Sequence, residues 1–297
     1  LDPGGHAYHE SRIWHIDGDL DVGALASALD LVARRQPVLR TRYVTVEGEP
    51  RQLVDEEATL PLEIIDLDGR ASDLDGEVRA RVERPFDLAA GAPVRFALFR
   101  LAPGRHVLLR VWNHIVADGL SSPVLQRDLT DAYAAVRAGR PPPWAPLAVD
   151  YADYAAWLAS ELEGPAFEES LALWKRRLDG LPTLALPADR VRPATQSFRG
   201  DVVSRPLSRR AAEALKSLGR AHGATPFVAF LAAFEVLISR LSGDEDFALG
   251  TPVGGRTQQE LAPLIGFFAN TLVVRADLSG SPAYTEVLNR ARERVAE

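Results

Sequence analysis

The segment Trp112-Asn113-His114-Ile115-Val116-Ala117-Asp118-Gly119 sets an imidazole, a carboxamide and a carboxylate at the exit of a predicted buried strand. Of these groups only the His114 ring exchanges a proton near neutral pH, whereas Asn113 can donate and accept hydrogen bonds but moves no proton. A loop rooted in a strand holds a histidine rigidly while its ring reaches a cleft, and Gly119 permits a sharp turn into the element that follows. The spacing alone supports two readings, an acid-base site and a packed histidine beside a capping aspartate. The chain has no cysteine, which removes thiolate nucleophiles, disulfides and cysteine-ligated zinc. Neither G-x-G-x-x-G nor G-x-x-x-x-G-K-[ST] occurs, so no phosphate-cradling loop is expected.

Those residues need a frame, and hydrophobic periodicity supplies one. Asp21 reads as the N-cap of a helix with Val22, Leu25, Leu29 and Val32 on its buried face, ending near Arg35. Leu39 to Val46 and Arg51 to Val54 read as strands around the Glu47-Gly48-Glu49-Pro50 turn. Val94 to Leu101 and His106 to Trp112 read as a second pair, joined by Ala102-Pro103-Gly104-Arg105. Ser122 and Pro123 supply an N-cap and a first-turn proline for a helix with Leu125, Leu129, Ala132, Tyr133 and Val136 inward. The segment Trp112 to Ser122 is then a strand-to-helix connection.

After a proline-rich stretch from Gly139 to Pro146, amphipathic segments run from Tyr151 to Leu162 and from Phe167 to Leu178. Leu181 to Gly200 is rich in proline and short in periodicity, and is the predicted boundary between an N-terminal lobe, residues 1–180, and a C-terminal lobe, residues 181–297. Ser208 caps a helix carrying Leu215 and Leu218. Thr225-Pro226 opens a helix with Phe227, Phe230, Leu231, Phe234, Leu237, Ile238 and Leu241 on its face. That helix is so apolar that it needs cover on more than one side, and an exposed apolar surface is expected there. Short strands follow at Phe247 to Leu249 and Thr271 to Ala276. The fold class that results is α/β (α+β) in two lobes.

Composition bounds the partners. The 297 residues are 46% hydrophobic and 25% charged, ordinary globular usage in a chain long enough for two lobes. A net charge of -7 without a dense basic stripe argues against nucleic acid. No run of about 18 apolar residues occurs, and Leu1-Asp2-Pro3-Gly4-Gly5 lacks the regions of a signal peptide, so neither membrane insertion nor secretion is expected. The expected location is the cytoplasm, which the absence of cysteine fits. With no methionine anywhere, the chain reads as a segment of a longer polypeptide.

The segment around His114 resembles the H-H-x-x-x-D-G signature of nonribosomal peptide synthetase condensation domains, with Asn113 in the place of the first histidine and His114 in that of the second. Arg35-Gln36-Pro37-Val38-Leu39-Arg40-Thr41-Arg42-Tyr43 is similar to the family's R-H-x-x-L-R-T-x-F segment, and Tyr151-Ala152-Asp153-Tyr154-Ala155-Ala156-Trp157 to its Y-x-D-Y-A-x-W segment. Gly250-Thr251-Pro252-Val253 and Ile265-Gly266-Phe267-Phe268-Ala269-Asn270-Thr271 resemble its G-T-P and I-G-x-F-x-N-T segments. These stand in family order and span the chain. Tyr151, Tyr154 and Trp157 read as helix packing, and Gly266, Phe267 and Phe268 as a packed strand entry. The family's S-x-A-Q-x-R-x-W segment is absent at the start and its P-F-E and R-x-x-x-x-P-L segments at the end, so the second lobe is expected to be incomplete.

The resemblance implies two chloramphenicol-acetyltransferase-like lobes in a V, with His114 at their junction. It implies a condensation of a donor thioester with an acceptor aminoacyl thioester, each on the phosphopantetheine arm of a carrier domain. His114 would be the catalytic residue; Asn113, Asp118, Gly119 and Arg40 would support it, Arg40 through an ion pair to Asp118. Asn270 and Ser121 are candidate substrate-tunnel residues. No metal and no cofactor held by the domain itself is implied. The partners would be upstream and downstream carrier domains and a neighbouring adenylation domain. Two alternatives differ in kind: a catalytically silent docking platform, with Asn113 as its support, and a same-fold acyltransferase acting on a soluble acceptor.

Overall fold

A computed structural model describes residues 5–56, 59–191, 193–196, 198 and 200–296. Residues 1–4, at the start that was read for a leader, lie outside the described residues, as do 192, 197 and 199 of the predicted boundary. The chain divides into two compact units, Leu1–Leu162 with Gly254–Ala269, and Glu163–Val253 with Asn270–Glu297.

The first unit is built on a mixed sheet of β1 (His9–Asp17), β4 (Leu62–Asp66), β5 (Val94–Ala102) and β6 (Arg105–Asn113), in the order β1-β6-β5-β4. β4 runs parallel to β5 and the other pairs are antiparallel. Side chains alternate across the sheet as the two-residue strand period requires. Phe96, Leu98, Leu108 and Trp112 face α1 (Val22–Arg35) and α3 (Ser121–Arg137), whereas Ala97, Phe99, Val107 and Leu109 face α2 (Leu74–Glu83). Burying each such large apolar side chain contributes about 1.5–3 kcal/mol. Each face of this sheet therefore has its own core. The hairpin of β2 (Thr41–Val46) and β3 (Glu49–Val54) turns on Glu47 and Gly48, both with positive φ. α4 (Tyr151–Glu161) opens on a capping box made by Asp150 and Asp153.

The second unit holds α5 (Pro165–Arg177), α6 (Arg209–Ala221), α7 (Pro226–Ser242), α8 (Tyr284–Ala296) and an antiparallel pair, β7 (Asp246–Val253) with β8 (Asn270–Asp277). Ser208 and Thr225 cap α6 and α7 as read from the sequence. Its core gathers Val228, Ala229, Ala232, Ile238, Phe247, Ala276, Val287, Leu288 and Ala291.

Four expectations need correction. The first unit does not run to residue 180: it ends at Leu162 and takes back Gly254–Ala269. Ile265 is buried in the first unit's core, and its N–H donates to Gln36 Oε1 at 3.0 Å, so the segment's contacts outweigh its place in the chain. Second, α3 begins at Ser121 without a side-chain cap from Ser122, whose Oγ instead accepts from Arg110 at 3.1 Å. Third, the residues read as one apolar face of α7 divide between two sides: Phe227, Phe234, Leu237 and Leu241 form the exposed apolar surface expected there, while Leu231 and Ile238 are buried with Val228, Ala229, Ala232 and Glu235. Small residues let α7 pack closely, and the bulky stripe is left on the other side. Fourth, β1, β4, α2 and α8 were not read. β1 carries Glu10, Arg12 and Asp17 and is an edge strand, which weakens its apolar signal.

Candidate active site

His114 opens a short 3-10 turn, His114–Val116, directly after β6. Asn113 Oδ1 accepts from Ile115 N–H at 3.0 Å, and His114 N–H donates to Tyr8 O at 2.8 Å, so carboxamide and backbone together bend the chain out of the sheet. The ring is held at both nitrogens. Nδ1 lies 2.6 Å from Ala117 O, and Nε2 lies 3.2 Å from Glu10 Oε1. Glu10 is placed by the sheet register, opposite Trp112 on β6, whose indole Nε1–H donates to Glu10 Oε2 at 2.8 Å. The edge of the Phe267 ring meets the imidazole, with centroids 4.9 Å apart.

The ring lines a cavity of about 840 Å³ whose wall includes Tyr8, Phe86, Leu88, Asn113, Ile115 and Phe267. Its lining is mainly apolar, and the imidazole is one of few groups there able to transfer a proton. Among the described residues no three His, Asp or Glu side chains gather into a set that could hold a metal ion.

Asp118 is buried and turned away from this cavity. Its carboxylate accepts from Arg256 Nη1 at 2.9 and 2.7 Å, from Phe268 N–H at 3.1 Å and from Ser121 N–H at 3.0 Å. Burial pushes its carboxyl up, but the Arg256 hydrogen bond and charge, with the Ser121 and Phe268 hydrogen bonds, outweigh burial and hold it below the ordinary carboxylate range. Ser121 Oγ lies 2.9 Å from Asp118 Oδ1 and from Gly266 O, and accepts from Arg256 Nη2 at 2.9 Å. The Arg256 guanidinium also sits 4.2 Å over the Phe268 ring.

The expected Arg40–Asp118 ion pair is therefore corrected. Arg40 donates to Ala33 O and Asp55 O, and Arg256 is the cation that Asp118 binds. The hydrogen bonds of Arg40 run to backbone carbonyls of residues 33 and 55, away from Asp118. Ser121 is fully buried in this network, so it is no tunnel residue. Asn270 is exposed at the start of β8 in the second unit, where its Oδ1 accepts from Thr271 N–H at 2.8 Å. Gly119 has no positive φ, and a Cβ there would meet nothing within 4 Å, so the turn does not depend on glycine. Phe267, read as packing in a strand entry, lies in the cavity wall ahead of β8.

Tyr151 and Tyr154 pack against Phe268, at centroid distances of 5.3 and 4.6 Å, while Trp157 is exposed. Glu10 and Arg256 were not read from the sequence. Glu10 lies in an unrecognised strand; Arg256 follows Gly250-Thr251-Pro252-Val253 by three residues, and only that proximity to a recognised segment could have drawn notice.

Comparison with known proteins supplies a family. The condensation domain model matches residues 1–297. A linear gramicidin synthase polypeptide of Brevibacillus parabrevis is 40% identical over 304 residues, covering 100% of this chain and 4% of that protein. The chain thus spans a small fraction of that relative's length. Among solved structures, the X-domain from teicoplanin biosynthesis in its complex with OxyB is similar, with a TM-score of 0.89 and 34% identity over 97% of this chain and 64% of that one. The first condensation domain of the calcium-dependent antibiotic synthetase, in complex with a substrate analogue, gives a TM-score of 0.80 and 26% identity over 99% of this chain and 69% of that one.

Proposed function

The chain belongs to the condensation domain family of nonribosomal peptide synthetases, and on that premise we propose that it contributes the active site for amide-bond formation between two carrier-bound thioesters. The donor acyl and the acceptor aminoacyl group arrive on phosphopantetheine arms of carrier domains, with an adenylation domain in the same cytoplasmic polypeptide. The observation that carries this reading is the His114 ring in the cavity wall, held at Nδ1 by Ala117 O.

An α-amino group has a pKa of about 8 and is mostly an ammonium at neutral pH, so it must lose a proton before it can attack a thioester. His114 takes that proton. The freed amine adds to the carbonyl carbon; as the tetrahedral intermediate collapses, the nitrogen's second proton passes to the departing sulfur, so the amide forms and the carrier arm leaves as a thiol. Placement of two tethered reactants supplies about 7–11 kcal/mol in favourable cases, and a base about 3–5 kcal/mol.

One observation favours a second reading. The similar X-domain is solved with OxyB bound, which supports a docking platform for a tailoring enzyme, and Asn113 stands where the family pattern has a histidine. Against it, His114, Asp118 and Gly119 are all present and His114 faces a cavity. The test is single-turnover transfer between two loaded carriers, using the polypeptide that contains this chain. His114→Ala should lose roughly a hundredfold to ten-thousandfold in rate. Asn113→Ala should lose less, and Asn113→His should be tolerated. Parent-rate transfer by His114→Ala would sink the catalytic reading in favour of the platform.

A further inference from the structure

Glu10 brings a carboxylate to the one ring atom on which the proposed chemistry depends. A carbonyl oxygen has no proton to give, so the 2.6 Å contact with Ala117 O puts the proton on Nδ1 and, in the neutral ring, leaves the lone pair on Nε2. Glu10 Oε1 stands 3.2 Å from that atom. An ionised carboxylate only accepts, so the two atoms hold one proton between them whenever they are hydrogen-bonded. The Trp112 indole N–H donates to Oε2 at 2.8 Å, which fixes the rotation of the carboxylate. Burial lowers the Arg110 guanidinium to about 9 even though the nearby Glu10 charge opposes that fall. Both His114 and Glu10 keep about a third of their side-chain surface open, so an incoming group can reach the pair.

We propose that Glu10 is a positioning residue for His114: its carboxylate holds the protonated Nε2 and carries the counter-charge for the imidazolium formed when the ring deprotonates the acceptor. This rests on the catalytic reading above. In the step itself the acceptor's ammonium loses one proton to Nε2. The N–H electron pair stays on the amine nitrogen as the nucleophile's lone pair, and the new imidazolium sits against the Glu10 carboxylate.

The test is a double-mutant cycle of Glu10→Gln and His114→Ala in the polypeptide that contains this chain, read by single-turnover transfer at several concentrations of loaded acceptor carrier. Glu10→Gln keeps the shape and removes the charge. It should slow transfer roughly tenfold or more, a part of the about 10²–10⁴-fold that a general base supplies. Acceptor saturation and melting temperature should stay at parent values, and in the His114→Ala background the substitution should cause no further loss. An equal loss in both backgrounds would mean that Glu10 acts independently of the ring and would overturn the assignment. Parent-rate transfer by Glu10→Gln, while His114→Ala is impaired, overturns it too and leaves the catalytic reading intact. Parent-rate transfer by His114→Ala removes both.

Discussion

Asp118 receives hydrogen bonds from Ser121, Arg256 and Phe268, and so ties the His114 loop to a segment about 140 residues further along the chain. Both members of the Asp118–Arg256 pair are almost fully buried, with side chains 2% and 8% exposed. Removing one partner strands the other charge. Arg256→Ala should therefore cost about 3–5 kcal/mol in urea unfolding. Arg40→Ala should cost less, because it frees only the backbone carbonyls of Ala33 and Asp55 and strands no charge. Equal losses would contradict the pairing. The acid dependence follows with a definite sign. The folded pKa of Asp118 lies below its unfolded value of about 3.9, so its stabilisation is present above that value and is lost as pH falls through the folded pKa. Asp118→Asn should lower stability near neutral pH and flatten its fall on acidification. An unchanged slope would assign the acid sensitivity to other carboxylates.

At the scale of the element, Gly254–Ala269 matters most, because it brings Arg256, Ile265, Gly266, Phe267 and Phe268 to the loop after β6. Its backbone leaves little room. Gly255 has φ 64°, and a Cβ there would lie 1.9 Å from Phe268 O, while one on Gly266 would meet the Tyr151 ring at 2.3 Å. A left-handed residue with a side chain costs about 1–2 kcal/mol before any clash. Gly255→Ala should thus lower stability by more than about 2 kcal/mol and loosen Phe267 against His114, whereas Gly119→Ala, with open space, should stay within about 0.5 kcal/mol. Melting temperatures of the two variants decide the matter, and a harmless Gly255→Ala would mean that the segment can move aside. The edge strand β1 contributes in the same manner, since its register with β6 alone sets Glu10 opposite Trp112.

For the molecule as a whole, the consequence lies in α7, where Phe227, Phe234, Leu237 and Leu241 form an exposed stripe at helical spacing. An apolar stripe of this length drives association through the hydrophobic effect. The chain of residues 1–297 should self-associate with rising concentration in sedimentation, and Phe234→Glu with Leu237→Lys should suppress this without lowering the melting temperature. Association that persists in the double variant would locate the sticky surface elsewhere. The sequence by itself determined the elements whose signals are local: Asp21, Ser208 and Thr225 as caps, the two hairpins, and the strand-to-helix connection that presents His114. Its recognised segments also named the family. Only the tertiary structure decided which cation meets Asp118, that Ser121 is buried, that Glu10 faces the ring, and which side of α7 is covered. The physical reason is range: caps and periodicity act over a few residues, whereas these contacts join positions 102 to 150 residues apart or depend on which of two apolar faces finds a partner.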